Sequence, residues 1–193
     1  MKRESPALNA PRALSRAAIW SALLCSALAL SAASVVARPA ALATNLPVPK
    51  VLVTDGSQTE AEIVQAARLY AAFWNSGDPA FARVALSEHF VDRTLPSGRS
   101  QGLGGVLQAS EGFRQAVPDL SAEIEHLLVA DDYVTVRLRF RGHFSGQFGE
   151  QQGQGQAINF QAVDLYRVKQ GRITDNWHLE DYQSLFSQMN LKP

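Results

Sequence analysis

Between Ala157 and Val168 the chain alternates as a strand does, and its even positions are Ile158, Phe160, Ala162, Asp164, Tyr166 and Val168. Successive strand side chains point to opposite faces, so one carboxylate stands on an otherwise mostly apolar face. The next stretch, Arg172 to Leu179, brings Thr174, Asn176 and His178 to one face, with Glu180 following. Joined across Lys169-Gln170-Gly171, the two stretches read as a hairpin in which Val168 pairs with Arg172. Asp164 then lies opposite Asn176 and diagonal to His178, about 7–8 Å apart at the backbone and within side-chain reach. A slip of one residue would put the two on opposite faces. An imidazole held by a carboxylate in a dry pocket is a competent general base, because its ordinary pKa of about 6.5 is close to working pH. The plainer alternative is that Asp164 and His178 only satisfy each other, or end in solvent.

Neighbouring residues have simpler readings. Trp177 and Tyr166 are expected as pocket wall or core, and Asp181 as a helix cap. Glu180 is expected at the pocket rim or in water, and His89 and His126 at the surface or a strand edge. Gly98-Arg99-Ser100-Gln101-Gly102 is a literal G-x-S-x-G, and Ser100, Asp164 and His178 follow the hydrolase chain order. A nucleophile elbow needs a buried strand before it, yet Leu95-Pro96-Ser97 precedes Gly98. No H-E-x-x-H or paired Cys/His spacing occurs, so no metal or cofactor is expected.

The elements that must carry these residues begin with a helix. Ser57 and Thr59 are candidate caps, and Ile63, Ala66, Ala67, Tyr70, Phe73 and Trp74 recur at helical spacing. Asn75-Ser76-Gly77 stops that helix, and Asp78-Pro79 starts a short second one through Leu86. Phe90 to Leu95 reads as a brief extended piece. A third helix is expected from Leu103 to Ala116, burying Leu103, Val106, Leu107 and Phe113. The pattern then changes to period two, with strands at Ala122–Leu128 and Tyr133–Phe144. Val134, Val136, Leu138 and Phe140 face one side of the second strand, while Arg137, Arg139 and Arg141 face a wet side. Gly146 to Gln156 is a Gly/Gln-rich loop, and a last short helix carries Tyr182, Leu185, Phe186 and Met189 on one face. Helices first and an antiparallel sheet after define an α+β domain. A curved sheet with the three N-terminal helices packed across its mouth would enclose a cone-shaped pocket.

The start reads as a secretory signal. Lys2, Arg3, Arg12 and Arg16 precede 21 uncharged residues from Ala17 to Ala37, most apolar through Leu30. Cleavage is expected near residue 37, or as late as 43, with an uncleaved anchor as the rival reading. Residues 38–58, with Pro39, Pro47 and Pro49, read as a linker, and residues 59–193 as the domain. The only cysteine, Cys25, lies in the signal, so the mature chain cannot form an internal disulfide. Removing residues 1–37 leaves 14 basic against 17 acidic side chains, a net charge of −3. That balance favours neither nucleic acid nor an acidic membrane surface. A periplasmic or secreted location is therefore expected.

Four segments taken together resemble the SnoaL-like polyketide cyclases, also called ester cyclases. They are Phe73-Trp74-Asn75-Ser76-Gly77-Asp78-Pro79, Phe90-Val91-Asp92, Ala116-Val117-Pro118-Asp119-Leu120, and Gly171 through Asp181. The resemblance spans about Glu60 to Leu191 and implies the cone-shaped α+β fold of the nuclear-transport-factor-two-like superfamily. In the founding cyclases an Asp on the last strand is the key acid/base, with a His on the neighbouring strand. His178 stands at that Asp position, Asp164 at that His position, and Asp92 where the founders have Asn. The family also often has a His where Phe144 stands, and His143, one residue earlier, would point to the other face. The founding reaction is an aldol closure of a polyketide methyl ester without metal or cofactor, and other relatives are isomerases, dehydratases or binders. The resemblance thus implies acid/base chemistry next to a carbonyl of a hydrophobic small molecule. His178 would be the acid/base and Asp164 its orienting partner. Asp92, Asn176, Tyr166 and Trp177 would contact substrate or shape the site. The alternative is a non-catalytic binding module of the same fold. The resemblance also allows a homodimer, with the arginine face of the sheet either solvated or part of the subunit contact.

Overall fold

The computed structural model describes Leu42 and residues 45–191. The expected signal sequence therefore lies outside the described residues. The linker is more structured than its composition suggests. Leu46 is buried, and Arg68 donates from Nε to Pro47 O (2.8 Å) and from Nη2 to Leu46 O (3.0 Å). Val51–Val53 then form a short strand, β1.

Helix α1 spans Glu60–Ser76 with Thr59 at its N-cap, and buries the expected Ile63, Ala66, Ala67, Tyr70 and Phe73. Gly77 ends it in the left-handed region (φ +74°), its N–H bonded to Phe73 O. A Cβ there would meet Arg114 Nε at 2.6 Å, and that guanidinium spans from Trp74 O to Leu120 O. Helix α2, Pro79–Ala85, begins as expected: the Asp78 side chain accepts from Ala80 N. Leu86 belongs not to this helix but to strand β2, Leu86–Asp92. Helix α3, Gly102–Ala116, buries Val106 and packs Leu103, Leu107 and Phe113 partly into the core.

Strands β3 (Ser121–Ala130), β4 (Tyr133–Phe144), β7 (Gln156–Lys169) and β8 (Arg172–Glu180) form an antiparallel meander. Within the glycine-rich connection, β5 (Gln147–Phe148) and β6 (Gln151–Gln152) make a small hairpin. The curved sheet has six strands in the order β1-β3-β4-β7-β8-β2. Both edge strands run parallel to their neighbours, β1 to β3 and β2 to β8, so the sheet is mixed rather than purely antiparallel. Such edges follow from β1 and β2 preceding long crossovers rather than tight turns. Helix α4, Tyr182–Gln188, closes the chain, with Asp181 capping Ser184 N at 3.0 Å.

Two bulges decide which side chains face the helices. In β3, Ile124 pairs with Leu138 and His126 with Arg137, leaving Glu125 extra. The buried positions accordingly change from Ala122 and Ile124 to Leu127 and Val129. In β8, Ile173 pairs with Val168 and Asp175 with Arg167, leaving Thr174 extra. The Thr174 hydroxyl is taken up locally, bonding Arg167 O and Asp175 Oδ2. An extra residue reverses the alternation. Buried Ile173 is therefore followed inward by Asn176 and His178 rather than by Trp177.

Candidate active site

The expected register is corrected twice: Lys169 pairs with Arg172, so the turn is Gln170-Gly171 rather than three residues, and the Thr174 bulge adds a second shift. Asp164 lies directly opposite His178, and Asn176 opposite Tyr166. Their closeness does not make a dyad. His178 donates or accepts at Nδ1 to Glu180 Oε1 (2.8 Å) and at Nε2 to Asp92 Oδ1 and Oδ2 (3.1 Å each). Asp164 Oδ2 instead accepts from Tyr166 Oη at 2.5 Å. The orienting role expected of Asp164 is thus held by Glu180 from the same strand face and by Asp92 from β2. Sequence spacing offered a signal for Glu180, two residues beyond His178 on one face. It offered none for Asp92, which arrives through the parallel pairing of Asp92 with Asn176.

Asp92 is fixed from several sides. Its Oδ1 accepts from Thr94 N (2.9 Å), its backbone N–H donates to Gln101 Oε1 (3.0 Å), and its carbonyl accepts from Gln101 Nε2 (2.7 Å). Arg93 N donates to Asn176 O, and His178 N donates to Thr94 Oγ1. The loop Arg93–Gln101 is thereby stitched to the strands bearing Asp92 and His178. Gly105 lets it approach α3, since a Cβ there would lie 1.7 Å from Ser100 O.

Burial opposes the charged imidazolium of His178, but the hydrogen bonds and charges of Glu180 and then Asp92 outweigh it and raise its pKa to about 9. That shift favours the imidazolium, with both ring nitrogens directed at carboxylates. Burial pushes Asp164 up to about 7, against the hydrogen bond from Tyr166 and the charge of His178. Burial and the nearby Asp164 charge hold the phenols of Tyr70 and Tyr166 protonated far above the usual range.

These groups line one cavity of about 320 Å³ beneath the helices. Its walls include Tyr70 and Trp74 of α1, Phe113 of α3, and Phe140 and Phe160 of the sheet. Phe140 and Phe160 stack at 5.1 Å, and Trp74 meets Phe140 edge-on. Leu95, Arg99 and Ser100 come from the loop, Phe148 from the β5–β6 hairpin, and Tyr182 from α4. Asp92, Asp164, Asn176 and His178 all face it as expected. Asn176 is 4 % exposed, and its Oδ1 has no hydrogen-bond partner. Tyr166 sits behind Asp164, fully buried and edge-on to Tyr70. Trp177 does not reach the cavity: alternation turns it to the outer face between Asn176 and His178, where it packs near Tyr133. His143 likewise points outward, bonded to Asp119 Oδ2 at 2.7 Å. Ser100 borders the cavity from an irregular loop, and both nitrogens of His178 are held elsewhere, so no nucleophile–base pair exists. Among the described residues no three His, Cys, Asp and Glu side chains are arranged to hold a metal ion.

The family model of SnoaL-like polyketide cyclases matches residues 64–189, and the chain belongs to that family. A protein of Bacillus cereus ATCC 10987, assigned as a polyketide cyclase, is 40% identical; the match covers 78% of this chain and 97% of that one, with a TM-score of 0.70. A SnoaL-like protein of Jannaschia sp. CCS1 is 20% identical over 72% of this chain and 99% of its own, with a TM-score of 0.62. A protein of Catenulispora acidiphila DSM 44928 with a ketosteroid-isomerase-like fold, solved with trimethylamine, is 20% identical over 68% and 94%, with a TM-score of 0.52. The latter two share the fold. No curated protein matches the chain.

Proposed function

We propose that this chain is a cofactor-independent enzyme that removes a proton next to a carbonyl of an apolar, ring-containing small molecule. The observation that carries the reading is the buried Asp92–His178–Glu180 array facing an aromatic cavity. Asp92 takes the substrate proton on its carboxylate, which lines the cavity with the His178 imidazole behind it; Glu180, on the other ring nitrogen, also borders the cavity. His178 holds Asp92 in place and, anchored by Glu180, offsets one of the two carboxylate charges. The negative charge that leaves Asp92 appears on the substrate oxygen, to which the Nδ2 amide of Asn176, a residue of the cavity wall, donates a hydrogen bond. The carbanion equivalent then attacks a second carbonyl in a cyclase, or is reprotonated elsewhere in an isomerase.

The test is deuterium exchange at the carbon next to the carbonyl in a panel of cyclic and aryl keto-esters. Asp92→Asn is expected to slow exchange by about 100-fold or more, and His178→Ala comparably. Wild-type exchange rates in Asp92→Asn would end the proposal. The second reading, a binding module, is favoured by one observation: His178 has no nitrogen left for a substrate. A ligand recovered unaltered after long incubation supports it, and conversion that depends on Asp92 opposes it.

Two further parts of the proposal rest on sequence and resemblance. The basic start and the uncharged run support export, which N-terminal sequencing of the mature protein tests. The homodimer would use the outer sheet face, where Leu165 and Leu179 are exposed beside Arg137 and Arg139. Leu179→Asp should then yield monomers by light scattering, and an unchanged mass in both proteins removes that contact.

A further inference from the structure

Arg99 stands apart from the other arginines. Arg68, Arg114 and Arg172 donate to backbone carbonyls, and Arg93, Arg137, Arg139, Arg141 and Arg167 meet carboxylates. Arg83 is exposed. Only Arg99 is partly buried in the cavity wall while its guanidinium has no hydrogen bond or ion pair among the described residues. A guanidinium in a cavity wall with no partner gains most from a planar, bidentate anion. The loop does not leave it free to swing away. Gln101 ties the loop to Asp92 in both directions, Arg99 N donates to Pro96 O, and Ser100 O abuts Gly105.

The cavity wall carries His178 and Arg99 against the carboxylates of Asp92, Asp164 and Glu180. His178 offsets one of its two flanking carboxylates, and Asp164 is sheltered by the Tyr166 hydroxyl. Arg99 is thus the remaining cation of the cavity, near Tyr182, and aromatic side chains form other parts of the same wall. We infer that Arg99 recognises a carboxylate on the substrate, so that the ligand is a flat apolar ring system bearing an acid group beside Arg99. The inference rests on the proposed reading of the site for the reacting end only; recognition by Arg99 does not require catalysis.

The experiment measures binding of 2-naphthoate and of its uncharged isostere 2-naphthamide to the purified protein at pH 7.5, by calorimetry and by Trp74-sensitive fluorescence. Wild type is expected to prefer the carboxylate at least tenfold. Arg99→Gln should bind the two about equally, and Arg99→Lys should keep part of the preference because a point charge replaces a fork. Unchanged thermal unfolding of Arg99→Gln shows that the loss is local. Asp92→Asn should retain the preference even with proton transfer abolished, which separates the two proposals. Equal binding of both probes by wild type, failure of naphthoate to bind at millimolar concentration, or a preference that survives in Arg99→Gln would each overturn the inference.

Discussion

On β7 the even positions Ile158, Phe160, Ala162, Asp164 and Tyr166 are buried against the helices, whereas Val163 and Leu165 between them are 44% and 36% exposed. Among the titrating groups buried on the inner face, Asp164, Tyr166 and His178 have pKa values displaced upward. The outer face also carries charge, but in pairs: Arg141 with Glu123 and Arg167 with Asp132 are open to water, and Arg139, less exposed, is held by both oxygens of Glu125. There the carboxylates of Glu123 and Glu125 are lowered, first by hydrogen bonds from Lys50 and Arg139 respectively. The same strands thus supply two electrostatic regimes. Where water is excluded, burial opposes charge and leaves a reactive network. Where water remains, pairing satisfies the side chains and displaces little energy.

The sharpest way to break this contrast is to insert one alanine after Asp175. The insertion must either be looped out or turn Asn176, His178 and Glu180 outward. Loss of cooperative unfolding by circular dichroism is expected, whereas deleting Thr174 keeps Ile173 opposite Val168 and Asp175 opposite Arg167 and should leave a native-like melt; the opposite pattern would refute the role given to the bulge. Next comes packing. Leu138→Ala, at a site 1% exposed, should cost about 2–5 kcal/mol in urea unfolding. Leu179→Ala, 76% exposed, should change stability by no more than about 0.5 kcal/mol. A larger loss at Leu179 that grows with protein concentration would mean the outer face is covered in solution.

Titration sharpens the comparison further. The His178 imidazole should titrate near pH 9 by NMR. Glu180→Gln should lower that value markedly, and Asp164→Asn should shift it little. Because the folded value is raised, its stabilisation is complete below about pH 6.5, the unfolded value, and is lost as pH rises through 9. Asp164 has the same sign in a lower window: the fold favours its protonated form, so stability falls between its model-compound value of 3.8 and about 7. Asp164→Asn should therefore gain on wild type across that interval in urea midpoints, and a constant difference would refute the burial argument. The smallest effect belongs to the outer pairs. Arg139→Ala should cost about 1 kcal/mol or less.

The sequence by itself determined a good deal. Helical spacing placed the buried face of α1, and Asp78-Pro79, Gly77 and Asp181 marked helix ends, because caps and periodicity are local physics. Alternation put Asp164 and Tyr166 on the inner face of β7 together, and motif order pointed to the family. Register, pairing across the sheet and the site's hydrogen bonds were decided only in three dimensions. Thr174 looks like an ordinary strand residue, yet its extra position puts His178 opposite Asp164 and sends Trp177 outward. Asp92 lies 86 residues from His178 and reaches it through a parallel edge strand that its own short sequence does not announce. Competition for a single imidazole is a matter of distance among groups brought together by packing: Glu180 and Asp92 hold His178, and Asp164 turns to Tyr166.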